Sequence, residues 1–379
     1  MAPRPTSFQR IYQAMSANRF YSLRVKRVSP EAAGAVAIAF DIPEAQHELF
    51  GFEPGQFLTL RADINGQDVR RNYSISCERS RLQRRGELEV GIRPVEGGVF
   101  SNWAAQQLKV GDMMDVMPPD GRFTVKKPHA IHRVGFAAGS GITPILSIAA
   151  STLEEQTNSK FTLVYGNRKM LSVMFNEALQ DLKDRYPDRL TLIHVLSRQA
   201  QEVELLQGRI DGDKVRAMIA SLLPVRSMDE VFICGPEAMI IATETALIDS
   251  GVPADRVHAE RFTSGPAVAT TVKVDTDKHA QEKPTNKDIA LTVVLDGKQH
   301  EIAVNGDEHL LDAALEAGLD LPYACKGGVC CTCRAKLLEG EVTMDKNFTL
   351  EADEIAQGFV LSCQARALST SVRLSFDER

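Results

Sequence analysis

Cys325-Lys326-Gly327-Gly328-Val329-Cys330-Cys331-Thr332-Cys333 reads C-x4-C-x2-C when Cys331 is set aside, and a lone cysteine, Cys363, follows after 29 intervening residues. Four thiolates at this spacing are the ligand set of a [2Fe–2S] cluster. Gly327 and Gly328 give the loop the backbone freedom to turn N–H groups toward the sulfurs. Soft thiolates also select zinc or Cu(I), but zinc sites usually show a second C-x2-C pair or two histidines beside the first. Seven cysteines in 379 residues, clustered at metal-type spacing, do not read as a disulfide framework. Cys331 reads as a non-ligand, with a one-residue exchange of ligand as the alternative. Cys77 reads as a small buried hydrophobe. The expected metal ligands are Cys325, Cys330, Cys333 and Cys363, and the chain is expected to carry electrons one at a time.

Working outward, residues 287–379 hold 9 basic and 16 acidic side chains, a net of −7, against −6 for the whole chain. An acidic module argues against nucleic-acid binding and suits steering toward a basic partner surface, or plain solubility. The start of the chain shows no apolar signal-peptide core. The longest apolar stretch, 134–150, is broken by three glycines, two serines and a proline, and is shorter than the roughly 20 residues a membrane span needs. No membrane contact and a cytoplasmic location are expected.

Residues 264–286 are polar, aperiodic and hold two prolines, so they read as a linker. Beyond it, 289–295 and 299–304 form an expected hairpin around Asp296-Gly297, followed by a short helix over 309–317 and the cysteine loop. Before the linker, short strand-like runs at 21–28, 35–42, 56–60, 73–76, 88–92 and 114–117 predict an antiparallel barrel or sandwich. Residues 127–263 instead alternate strands (133–137, 161–165, 190–195, 231–234) with helices (144–153, 175–183, 212–222, 236–249), the pattern of a parallel sheet with helices on both faces.

Gly139, Gly141, Thr143 and Pro144 sit between a predicted strand and a predicted helix, where backbone can approach a phosphate; the plain alternative is a tight turn. Cys234, Gly235 and Pro236 repeat that form at the same sheet edge, where open α/β sheets bind ligands. Arg168, Ser197 and Arg198 follow the second and third strands and suit a 2′-phosphate, which favours NADPH over NADH; solvated charges are the alternative. In the barrel, Arg71 and Tyr73 share a strand face, one fit to hold a pyrophosphate and the other to stack on a flat ring. Gly98, Val99 and Ser101 open a predicted helix that again suits a phosphate.

Together these residues resemble the ferredoxin–NADP reductase superfamily with a fused C-terminal plant-type ferredoxin. Arg71-x-Tyr73-Ser74 matches its R-x-Y-S flavin signature, and Gly98 and Ser101 its G-x-x-S. Gly139 to Pro144 match G-x-G-I-T-P, and Cys234 to Met239 match C-G-P-x-x-M. The domain order is similar to that of the reductase subunits serving bacterial phenylacetyl-CoA epoxidase. The resemblance implies an N-terminal extension (1–17), an FAD-binding antiparallel β-barrel (18–126), an NAD(P)-binding α/β domain (127–263), the linker (264–286) and a small α+β, β-grasp ferredoxin (287–379). It also implies electron flow from NADPH through FAD to the cluster and then to an oxygenase partner. Tyr73, Ser74, Thr143 and Cys234 would frame the nicotinamide, and Phe262 would cover the flavin.

Other chemistries read poorly. A di-iron site needs two Glu-x-x-His motifs; one such spacing, Glu44 to His47, stands beside Pro43. Gly139-Ser140-Gly141 lacks the outer glycines of a hydrolase elbow. A redox-sensing binding module or a reductase for another oxygenase remain the alternative functions. Replacing Arg198 by Ala is expected to raise the Michaelis constant for NADPH more than for NADH; steady-state kinetics with both nucleotides reads this, and equal effects would contradict it.

Overall fold

The computed structural model describes residues 19–262, 269–274 and 289–378. It divides into two compact units, Tyr21–Phe262 and another that contains the described residues beyond it.

The first unit opens with six antiparallel strands: Tyr21–Pro30 (β1), Val36–Asp41 (β2), Phe57–Ile64 (β3), Gln67–Ser74 (β4), Glu87–Ile92 (β5) and Met113–Val116 (β6), in the order β4-β3-β6-β1-β2-β5. A bridge between Ile75 and Val90 joins the two ends of that path, so the sheet curls into a barrel. Period-2 alternation turns Leu23, Val25, Ile38, Phe40, Leu58, Leu60, Leu88, Val90 and Ile92 into one buried core. The turn Asn65-Gly66, both at positive φ, closes the β3–β4 hairpin as a primed turn does.

Five parallel strands follow: His132–Ala138 (β7), Lys160–Asn167 (β8), Leu190–Leu196 (β9), Glu230–Cys234 (β10) and Val257–Glu260 (β11), in the order β11-β10-β7-β8-β9. Helices Ile142–Glu155 (α3) and Asn176–Arg185 (α4) pack into one buried cluster, and Gly212–Ser221 (α5) and Glu237–Asp249 (α6) into another. Two shorter helices, Ser80–Arg85 (α1) and Val99–Gln107 (α2), belong to the barrel. The winding reverses between β7 and β10, which makes their C-terminal ends a topological switch point. At their other ends Arg133 and Glu230 are register partners, both fully buried, with Arg133 Nε 3.0 Å from Glu230 Oε2. The remaining valences are filled: Glu230 Oε1 accepts from the backbone N–H groups of Lys126 and Lys127, while Arg133 donates to the Lys127 carbonyl and to Gln156 Oε1.

In the second unit Thr270–Val274 (β12), Ile289–Leu295 (β13), Lys298–Val304 (β14), Arg334–Met344 (β15) and Ser371–Ser375 (β18) form a mixed sheet in the order β12-β15-β18-β13-β14, with Phe359–Leu361 (β16) and Ala365–Ala367 (β17) also on β15. Helix Leu310–Glu316 (α7) covers it through Leu310, Leu311 and Ala314. The expected hairpin is present, with Asp296 and Gly297 both at positive φ.

The linker reading needs correction. Thr270–Val274, inside 264–286, is an edge strand antiparallel to β15, with Val272 opposite Val342 and 4 % exposed. Edge strands stay polar on their outer face, which hid this one. The rest of that stretch, and the 1–17 extension, lie outside the described residues.

Glu230→Gln leaves the Arg133 charge buried and unpaired. Unfolding of the Tyr21–Phe262 unit in urea is expected to show a loss of about 3–5 kcal/mol.

Candidate functional site

At the switch point the glycines are needed for space. A Cβ on Gly141 would stand 2.1 Å from the Cys234 carbonyl oxygen, and one on Gly235 would stand 2.7 Å from Met239 Cε and 3.2 Å from the Ala138 Cβ. The segments 139–144 and 234–236 are thus in backbone contact. Gly139 has φ +56, and its carbonyl accepts a 2.8 Å bond from Tyr165 Oη. Thr143, 2 % exposed, donates to the Ser140 carbonyl at 3.1 Å. Pro144 lies in the first turn of α3, where its missing N–H costs little. Pro236 is the N-cap of α6.

Arg168 and Arg198, both exposed, are neighbours at the same sheet edge. The Arg198 N–H donates to the Arg168 carbonyl at 2.8 Å, and that of Ser197 to the Asn167 carbonyl at 2.9 Å. Two cations side by side suit a phosphomonoester.

On the barrel, the two adjacent arginines are distinguished by burial. Arg70 is 4 % exposed and held by Asp68 at 2.9 Å, whereas Arg71 is exposed beside Tyr73. The Tyr73 ring lies 5.7 Å from Phe100 of α2, which joins the strand bearing Arg71, Tyr73 and Ser74 to the helix opened by Gly98, Val99 and Ser101. A Cβ on Gly98 would meet Val95 Cγ2 at 2.5 Å and Ser101 Oγ at 2.6 Å, so a side chain there would force both to turn away. Val99 is 46 % and Phe262 41 % exposed.

The two parts of this unit meet through Glu260, for which the sequence alone suggests no role beyond closing this half of the chain with Arg261 and Phe262. Ser74 Oγ donates to Glu260 Oε2 at 3.1 Å, and Cys234 Sγ is 4.0 Å from the same oxygen. Burial pushes the Glu260 carboxyl up to about 8, with the Ser74 hydrogen bond opposing; burial also pushes the Cys234 thiol and the Tyr73 phenol up. Nothing local marks Glu260, since its partners lie 186 and 26 positions away.

In the second unit the four thiols influence one another in two pairs, Cys325 with Cys330 and Cys333 with Cys363, while among the described residues no three or more His, Cys, Asp or Glu groups are gathered at metal-holding distances. The Cys330 contact, joined by N–H groups of Gly327, Val329 and Cys330, holds Cys325 below the usual thiol range; Cys330 and Cys333 are pushed up by their partner thiols and by burial. Two pairs of thiols suit two irons, each taking two protein sulfurs, and their protons would leave on metal binding. Cys331 faces elsewhere, with Sγ 3.0 Å from Thr349 Oγ1. Lys326 and Cys331 adopt positive φ, and a Cβ on Gly328 would meet the Lys346 carbonyl oxygen at 2.9 Å, so the loop is wound tightly on the 346–349 segment.

Comparison with known proteins agrees with each part. Residues 23–125 match the oxidoreductase FAD-binding domain, 136–245 the oxidoreductase NAD-binding domain, and 293–368 the 2Fe-2S iron-sulfur cluster binding domain. The chain is 47 % identical over 365 residues to one of the subunits of 1,2-phenylacetyl-CoA epoxidase from Escherichia coli (strain K12), covering 95 % of this chain and 98 % of that one. It is 36 % identical over 364 residues to the ferredoxin reductase component of 3-ketosteroid-9-alpha-monooxygenase from Rhodococcus rhodochrous, covering 95 % and 97 %. The solved structure of phthalate dioxygenase reductase shares the fold, with TM-score 0.58, 22 % identity and coverage of 94 % and 98 %.

The raised Glu260 carboxyl has a stability signature. Between pH 4.5 and about 8 the unfolded chain ionises this group while the folded one keeps the proton, so stability falls as pH rises through that window and levels off above it. Glu260→Gln is expected to flatten that fall; melting temperatures of both proteins from pH 5 to 9 check it, and parallel profiles would contradict it.

Proposed function

Because the chain belongs to the family of FAD- and [2Fe–2S]-containing, NAD(P)H-dependent reductase components of oxygenases, we propose that its oxygenase is phenylacetyl-CoA epoxidase and that its preferred donor is NADPH. The supporting observation is the 47 % identity to the Escherichia coli epoxidase component, which runs across nearly the full length of both chains. The groups bound by such a chain supply hydride acceptance at the flavin and one-electron transfer at the cluster.

The chain's own residues bind and position. Arg71 and the start of α2 at Gly98 to Ser101 take the flavin pyrophosphate, and Tyr73 and Phe262 flank the ring. Gly139 to Pro144 and Cys234 to Pro236 admit the nicotinamide half of the nucleotide against Ser74, Thr143 and Glu260. Arg168, Ser197 and Arg198 take the 2′-phosphate. Cys325, Cys330, Cys333 and Cys363 hold the cluster. Acidic residues of the last module steer it toward its acceptor. No described helix is long and apolar enough to cross a membrane; a cytoplasmic site of action is part of this proposal.

Coupled turnover tests the partner. NADPH-driven epoxidation of phenylacetyl-CoA by the purified oxygenase component should require this protein, and turnover supported only with a ketosteroid hydroxylase would transfer the assignment there. The cluster assignment has its own test. Cys333→Ala is expected to lower bound iron and to cut electron delivery to a one-electron haem acceptor by more than about tenfold. NADPH oxidation by ferricyanide, which draws electrons from the flavin, should persist. Unchanged iron and haem reduction would contradict the assignment.

A further inference from the structure

A contact beside the nucleotide loop joins Thr143 to two residues, Gly91 and Phe175, that belong to none of the motifs above. Gly91 lies on barrel strand β5 and has no unusual φ, yet a Cβ there would stand 2.7 and 2.8 Å from the ring of Phe175 and 2.8 Å from Thr143 Cγ2. Barrel backbone, aromatic ring and threonine methyl therefore converge on one hollow. Phe175 is 3 % exposed and sits just before α4 at φ 57, ψ 30, a left-handed conformation that bulky residues rarely adopt. Its two backbone groups are both engaged. The N–H donates to Glu31 Oε2 of the barrel at 2.7 Å, and the carbonyl accepts from the Leu179 N–H at 2.9 Å.

Thr143 is thereby fixed on both sides of its Cβ, with its hydroxyl bonded to the Ser140 carbonyl and its methyl beside Gly91. We infer that Phe175 is a positioning residue for hydride transfer: pinned by Glu31 and seated on Gly91, it sets the side-chain orientation of Thr143 and the gap between β5 and the 139–143 loop. This rests on the proposed placement of the nicotinamide beside Thr143. Hydride transfer depends steeply on donor–acceptor geometry, so a small shift of this loop alters the rate more than the affinity.

The test is anaerobic stopped-flow reduction of the bound flavin in the full-length holoenzyme, with NADPH and with NADH. Phe175→Leu and Gly91→Ala are each expected to lower the limiting reduction rate by about tenfold while the nucleotide dissociation constant moves by less than about threefold. Glu31→Ala, which removes the acceptor and leaves the ring, should act in the same direction and carries the test with Gly91→Ala if Phe175→Leu does not fold. A double-mutant cycle reads the route: with Thr143→Ser, which lacks the methyl, the Phe175→Leu effect should shrink. Limiting rates within about twofold of the parent, with only a lowered melting temperature, would overturn the inference, as would strictly additive effects in the cycle. A parent holoenzyme whose flavin neither nucleotide reduces would sink the nucleotide-site reading itself, a result distinct from unchanged variants of an active parent.

Discussion

The buried pairing of Arg133 with Glu230 is the interaction on which the nucleotide half depends. Two opposite charges with no exposure would be costly if either lacked partners, and here each has hydrogen-bond partners beyond the other. The pair locks β7 and β10 in register at their N-terminal ends, so that Cys234 comes level with Ala137 at the other. A one-residue slip would turn each strand's side chains to the opposite face. It would also separate Gly141 from the Cys234 carbonyl, whose close approach joins the two loops at the switch point. The same carboxylate gathers the N–H groups of Lys126 and Lys127, on the segment that arrives from the barrel. One ion pair thus sets the strand register and ties down the chain entering the sheet.

The ferredoxin unit solves a different problem. Four thiols must lie close together before metal binds, and the backbone must point N–H groups at them. The loop is shaped by conformations that cost energy: Lys326 and Cys331 at positive φ, and Gly328 where no side chain fits. Bonds to the neighbouring segment offset that cost. The Phe348 N–H donates to the Gly328 carbonyl, Thr349 meets the Cys331 sulfur, and Gln364 Nε2 donates to the Lys326 carbonyl. Cys331 therefore has a part in loop geometry that its place in the motif does not suggest.

What was legible in the sequence was local. Cysteine spacing, the strand–glycine–helix junctions and the Asp296-Gly297 turn each carry their physics within a few residues; periodicity gave a barrel or sandwich, a parallel sheet and a small mixed β module, and the family resemblance made these a flavin barrel, a nucleotide domain and a ferredoxin. What stayed hidden depends on distant partners. Thr270–Val274 is a strand because β15 offers it an edge, with Val272 as its one buried side chain. Arg70 and Arg71 look alike until Asp68 claims one. Glu260 and Phe175 stand in no motif, and each acquires its place from a residue more than a hundred positions away, Ser74 and Glu31 respectively.

The protonation states of the cleft fit hydride chemistry. Burial keeps the Cys234 thiol and the Tyr73 phenol neutral, and it holds the Glu260 carboxyl near pH 8, protonated for the larger part at neutrality. A site built for general acid–base catalysis would place an acid and a base with separated pKa values on the reacting atoms. Here the three groups were all moved the same way, by the same cause, toward their uncharged forms. A centre lined by neutral dipoles does not trap a charge on either side of the proposed transfer, and the charged Arg71, Arg168 and Arg198, where the proposed phosphate sites lie, are exposed. On the proposed reading, charge serves binding at the periphery and is kept out of the centre, where geometry sets the rate.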